Sequence, residues 1–472
     1  MMKRKILILY TLLALLAGIL GAFLLWPRIP TQAHATGTGT DWTMFQGDLG
    51  HSGFNGAETV LNASTARLMK VEWTRHEGSG ISSQVTAANG LIYWGSWDGL
   101  EHASNPADGT DVWATNLGTT TPPPTQRCYP PSAGPSGAAA IETISINGTM
   151  TSVAFVSGGD ATLYALNATT GAILWNTRLG TSPSHMLWAG PVFYKGDLYV
   201  GVSSYGDCPL IQGQVIQLAA STGTVLHTFK TVPDGCISGG VWDTPTIDQQ
   251  TGMLYASTGT QSSCKKPGNL SVGLIELNTT DLSLVSSWVV PPSQLITDSD
   301  FGSTPTLFQA TIGGVLHQMV GLVNKNGIYY AFDRSNIAAG PLWQVRLSNV
   351  GGGNSFASSG WDGSTLYEAD SSTTINGKSC VGSLRALNPA TGAFLWQTCL
   401  ASRVFSSVMI VPGLVVVGAG NSIIVAKSAS GKQTYKFQDP TKNSARFVSS
   451  ATIVNGRLYM GSLDGNLFAL GL

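Results

Sequence analysis

Two stretches decide the fold: ALNATTGAILW at residues 165–175 and ALNPATGAFLW at residues 386–396. They share Ala, Leu, Asn, Thr, Gly, Ala, Leu and Trp in one register, although they lie far apart. Laid along the chain, the pattern recovers more copies. HASNPADGTDVW, from His102 to Trp113, keeps Gly109 and the tryptophan, whereas QLAASTGTVLH, from Gln217, keeps Gly223 and puts His227 in the tryptophan's place. AFDRSNIAAGPLW, from Ala331 to Trp343, is lengthened in the turn, and AKSASGKQTY, from Ala426, is one residue short. ELNTTDLSLVSSW, from Glu276 to Trp288, lacks the glycine.

A β-branched and aromatic run such as VAFVSG or LVVVGA precedes each copy, and before it stands another strand-like piece ending in a Gly or Asn-Gly turn. Such turns are what hairpins require where φ is positive. One unit therefore reads as four strands over about 40–50 residues, the length of a propeller blade. Counting units predicts an all-β, eight-bladed propeller over residues 68–472, led in by an entry segment at 36–67. The last unit ends at Leu472, short of its fourth strand, and KVEWTR at residues 70–75 is a strand without a blade. Pairing the two closes the ring and removes an exposed sheet edge. A tryptophan at the end of each outer strand, opposite a small Ala and a turn Gly, suits blade-to-blade packing. The repeat is thus read as scaffold, and function is expected elsewhere.

Composition agrees. Of 472 residues 43% are hydrophobic, and only 11% are charged, against about 25% in ordinary soluble domains. The net charge is −1, and no basic run occurs beyond the N-terminus, which excludes a nucleic-acid footprint. Lys3, Arg4 and Lys5 precede an apolar run from Ile6 to Trp26 that is long enough to span a bilayer. Ala33-His34-Ala35 has the form of a signal-peptidase site. Residues 1–35 are thus expected to be a signal peptide or membrane anchor, with the remainder extracytoplasmic. Six cysteines in an exported chain favour disulfides. Cys380 with Cys399, across one hairpin, and Cys208 with Cys236, flanking the third blade, are the expected pairs, leaving Cys128 with Cys264 by elimination.

The pattern A-x-N-x-x-T-G-x-x-x-W resembles the tryptophan-docking repeat of the pyrroloquinoline-quinone (PQQ) dehydrogenase propellers. DWTMFQGDLGHSGFN, from Asp41, is similar to the segment leading into them. The resemblance implies an oxidoreductase acting on an alcohol or sugar. Three residues match the family's site: Trp242 in VWDTPTID as the floor under the quinone, Asp300 in DSDFGSTP as the catalytic aspartate, and Lys325 in VNKNGIYYAFDR as the cation on the quinone oxygens. It also implies a calcium ion held by a Glu, an Asn and the aspartate region. Thr260 stands at the Asn position, Asp207 is the nearest acid to the Glu position, and no adjacent-cysteine pair occurs. The same repeat also serves non-enzymatic propellers, so a binding or scaffold module of the cell envelope is the alternative. Loops joining strands two and three, and those joining successive blades, share one face, where functional residues are expected.

Overall fold

The computed structural model describes residues 41–126, 128–349, 355–441 and 446–472. The segment read as signal or anchor lies outside them, and no helix among the described residues is long and apolar enough to cross a membrane. Eight antiparallel sheets follow one another around an axis. They span residues 86–116 (blade one), 140–178 (two), 185–230 (three), 246–289 (four), 306–346 (five), 360–400 (six) and 409–438 (seven). Blade eight takes three strands from 452–471 and its outermost from Lys70–His76. That closing strand pairs Lys70 with Gly471 and sets Trp73 opposite Ala469, as Trp175 faces Ala165 and Trp396 faces Ala386.

The repeat's residues meet between blades. The indole N–H groups of Trp73, Trp113, Trp175, Trp343 and Trp396 donate to turn carbonyls of the following blade: Pro106, Ala168, Ala220, Pro389 and Ser428, at 2.8–3.0 Å. Each ring then lies on the turn glycine. A Cβ on Gly223 would fall 2.4 Å from Trp175, and one on Gly392 2.5 Å from Trp343. Both glycines also hold positive φ, 71° and 70°, a region that L side chains rarely adopt. Thr115, Thr177 and Thr398, two residues past their tryptophans, bond the same glycines' carbonyls at 2.6–2.9 Å.

Between blades three and four the contact is rebuilt. Leu282 holds the positive φ, 55°, in the glycine's place, and its side chain is buried. No indole can lie there, and His227 at the tryptophan position is exposed. Tyr199 and Gln217 instead donate to the Thr279 carbonyl, at 2.7 and 3.0 Å.

The entry segment runs a circuit of the inner strands. Trp42 pairs with Ala87 of blade one. The carbonyls of Thr43, Leu49, Gly50, Ser52 and Gly53 then accept the N–H groups of Ile141, Ile247, Leu307, Trp361 and Ile410, at 2.7–2.9 Å. Those five donors belong to blades two, four, five, six and seven. The Asn55 amide donates to the Ile453 carbonyl of blade eight, at 2.8 Å. Edge N–H groups of the innermost strands are thereby paired.

Three disulfides are present: Cys128–Cys208, Cys236–Cys264 and Cys380–Cys399. The last is the expected staple. The pairings of Cys208 with Cys236 and Cys128 with Cys264 are corrected, because long loops bring other partners together. The loop after blade one reaches blade three, where Tyr205 donates to the Pro130 carbonyl at 2.8 Å, and this sets Cys128 on Cys208. The loops at 232–240 and 259–272 run side by side, with Ser262 donating to the Ile237 carbonyl at 2.8 Å, and this sets Cys236 on Cys264.

Candidate functional site

The entry segment's bonds put the inner strands into register. Five residues before each bonded position comes the residue that faces the axis: Ser82, Ser136, Trp242, Gly302, Phe356 and Phe405, with Trp188 and Val448 completing the ring by the same count. All eight line one axial cavity of about 880 Å³. Two residues further on, a second ring includes Thr304, Ser358, Ser407 and Ser450. Here each blade's N–H donates to the next blade's hydroxyl: Thr304 to Ser358, Ser358 to Ser407, and Ser407 to Ser450, at 3.0–3.2 Å. Phe45 of the entry segment also lines the cavity.

The three residues expected at the site all line this cavity, as do Thr260 and Asp207. Asp300 lies in the loop between blades four and five, and Lys325 in the turn between the second and third strands of blade five. The N-K-N-G turn is clamped to that loop. Asn324 donates to the Ser299 carbonyl at 2.9 Å, Asn326 to the Gln294 carbonyl at 3.0 Å, and the Lys325 N–H to the Asp300 carbonyl at 2.9 Å. The two asparagines thus fix where the lysine points. Its Nζ lies 3.0 Å from Asp300 Oδ2, 2.8 Å from Asp298 Oδ1, and 5.3 Å from the centre of the Trp242 ring. Burial pulls the lysine's pKa down, but Asp300 and Asp298 outweigh it and the net shift is upward; the side chain stays an ammonium. Burial raises Asp298, against the opposing pull of Lys325.

The other oxygen of Asp300 accepts the Thr260 N–H. The Thr260 hydroxyl lies 3.0 Å from Asp207 Oδ2, so one network ties blades three, four and five. The Trp242 ring leans across Gly302, where a Cβ would stand 2.1 Å from it, and tilts toward Phe356 at 6.0 Å. An aromatic face, a fixed cation and a carboxylate therefore share one wall. That set fits a planar quinone.

It does not by itself fit calcium. Among the described residues no three His, Cys, Asp or Glu groups converge on a metal position. Both Asp300 oxygens are engaged, and the Thr260 carbonyl accepts from Ser238, whereas calcium takes six to eight oxygens.

Sequence reading missed Asp243, Trp188, Phe356 and Phe405. The signal was the offset: W-D-T-P-T at 242 aligns with G-S-T-P-T at 302 only once the inner strands are superposed. Asp243 takes the place of Ser303, whose hydroxyl bonds Val323 of the next strand. It accepts from Ser257 at 2.8 Å, its other oxygen is buried without a partner, and burial pushes its pKa up to about 8.

Comparison with known proteins bears on this arrangement. The chain is 23% identical over 463 residues to a polyvinylalcohol dehydrogenase of Pseudomonas sp, covering 86% of this chain and 67% of that one. It superposes on the quinohemoprotein alcohol dehydrogenase of Comamonas testosteroni with a TM-score of 0.71 at 14% identity, covering 92% of this chain and 80% of that one. It superposes on BamB from Moraxella catarrhalis with a TM-score of 0.56 at 16% identity, covering 86% and 100%. The two superpositions speak to fold alone. A family model described as outer membrane protein assembly factor BamB, built on the PQQ repeat, matches residues 98–259 and 324–472. The chain belongs to that PQQ-type propeller family.

Proposed function

We propose that the chain is an extracytoplasmic quinoprotein-type oxidoreductase that binds PQQ in the axial cavity and oxidises an alcohol there. The observation that carries this reading is the convergence of Trp242, Asp300 and Lys325 on one wall, with Lys325 Nζ 3.0 Å from Asp300. The polyvinylalcohol dehydrogenase relatives support an alcohol, polymeric or small, as substrate. Three disulfides fit an oxidising compartment, with residues 1–35 as signal or anchor.

PQQ, when bound, would supply a two-electron acceptor, so that an alcohol leaves as the corresponding aldehyde or ketone, its two electrons and two protons reaching the quinone in the net reaction. Trp242 offers the stacking face, and Lys325 presents its ammonium to quinone oxygens. Asp300, oriented by Lys325 and the Thr260 N–H, accepts the hydroxyl proton.

The test is titration of the purified ectodomain with PQQ, with and without Ca²⁺ or a lanthanide, followed by dye reduction over an alcohol panel. Asp300→Asn should retain quinone binding and lose about 10²–10⁴ in turnover. Absence of quinone binding at micromolar concentration would overturn the reading in favour of the envelope-binding module. The engaged Asp300 oxygens and the Thr260 substitution are what favour that alternative.

A further inference from the structure

Calcium and this site disagree oxygen by oxygen. Asp300 gives one oxygen to the Thr260 N–H and the other to Lys325 Nζ, at 3.0 Å. Asp298 Oδ1 also accepts from Lys325, at 2.8 Å. The Thr260 carbonyl accepts from the Ser238 hydroxyl and the Gly239 N–H, and the Thr260 hydroxyl donates to Asp207. Asp207 Oδ1 takes a further hydroxyl, that of Ser204, at 2.9 Å. Asp207, Asp298 and Asp300 against one ammonium would draw a cation to this wall by charge alone. Ligation, however, needs several oxygens free to turn toward a single point, and the point shared by Asp298 and Asp300 is held by the lysine.

Two stapled loops fix that arrangement. Asp207 adjoins Cys208, which is bonded to Cys128. Ser238 and Gly239 follow Cys236, which is bonded to Cys264. Thr260 is gripped through its hydroxyl by the first loop and through its carbonyl by the second, which leaves its N–H on Asp300. An asparagine here would offer a side-chain carbonyl to a cation, whereas this hydroxyl is engaged as a donor.

We infer that this chain positions Asp300 without a metal ion: the Lys325 ammonium stands in the cation's place and supplies the charge, and Thr260, fixed by both stapled loops, supplies the orientation. Toward Asp300 both act as positioning residues, and quinone binding and turnover are independent of calcium. The inference rests on the oxidoreductase reading for the role of Asp300, but whether an ion binds is decided without a quinone.

Terbium(III) titrated into the unloaded protein under tryptophan excitation reads the site directly, because the Trp242 ring centre lies 5.3 Å from Lys325 Nζ. Wild type should show no saturable emission that calcium displaces and Asp300→Asn abolishes. Such emission at micromolar terbium would overturn the inference. Lys325→Ala, which frees Asp298 and Asp300, should gain it. A folded variant as silent as wild type would also overturn the inference, since the lysine would not be what excludes the ion. In a second measurement, wild-type PQQ affinity and dye reduction should agree between EGTA and added Ca²⁺ or La³⁺. Lys325→Ala should bind PQQ about tenfold or more weakly in EGTA and recover with Ca²⁺, a rescue that a merely structural lysine would not give. Wild-type protein that needs Ca²⁺ for turnover would overturn the inference and leave the oxidoreductase reading intact. Failure to bind PQQ with or without the ion would overturn that reading instead, with the terbium titration still deciding the ion.

Discussion

The perimeter and the axis of this ring are built from the same eight blades by opposite rules. At the perimeter, five of the eight blade interfaces are made by one contact, an indole on the next blade's turn glycine with its N–H on a turn carbonyl. At the axis, equivalent positions hold Ser82, Ser136, Trp188, Trp242, Gly302, Phe356, Phe405 and Val448. The reason is geometric. A perimeter contact involves two neighbours only, so one solution can be reused from interface to interface. The axial ring points eight side chains into one space, which eight indoles would overfill. Repetition therefore marks what holds the ring together, and departure from it marks what the cavity does.

Removing one perimeter indole gives the largest expected effect. Trp396→Ala loses the 2.8 Å bond to the Ser428 carbonyl and the packing on Gly431, which should cost about 3–5 kcal/mol of stability, measured by urea unfolding. Quinone affinity should hold, because Trp396 does not line the cavity. A matched loss of affinity would show that perimeter and axis are not separable.

Gly302→Ala reverses the pattern. Gly302 has no positive φ, so the backbone accepts alanine, but its Cβ would stand 2.1 Å from the Trp242 ring. The ring must swing into the cavity and give up the stacking face. Quinone affinity should fall tenfold or more in the PQQ titration, with a stability change of about 1–3 kcal/mol. Unchanged affinity would remove Trp242 from the proposed floor.

This contrast also explains what the sequence made legible. The eight blades, the closing strand and its Trp73 could be read because most interfaces demand the same residue types. The departure between blades three and four is coherent as well, since Leu282 in the glycine's place excludes an indole and His227 replaces it. Cys380–Cys399 was legible because it lies across one hairpin, but the other two disulfide pairings were not, because they depend on how far the loop before Cys128 reaches across blade two. Asp300, Lys325 and Trp242 came from family resemblance, and the structure adds the two asparagines that aim the lysine. Phe356 and Phe405 were hidden because partly exposed aromatics read as ordinary core until the inner strands are registered.

Asp243 gives the smallest expected effect and tests the axial rule within one blade. Where blade five has Ser303, blade four buries a carboxyl whose pKa burial lifts to about 8, from about 3.9 in an unfolded chain. Across roughly pH 4–8 the folded protein holds a proton at this group that the unfolded chain has released. The group's contribution to stability therefore falls as pH rises through that window and is lowest above it. Asp243→Ser restores the hydroxyl of the neighbouring blade and removes a buried oxygen that lacks a partner. The variant should be more stable than wild type by about 1–3 kcal/mol at pH 8, with the difference shrinking toward pH 4 in unfolding curves taken at each pH. Superimposable pH profiles would mean that Asp243 titrates normally and that water from the cavity reaches its second oxygen. A gain in stability accompanied by weaker quinone binding would instead place Asp243 beside Trp242 and Gly302, as an axial departure kept for the ligand against the interest of the fold.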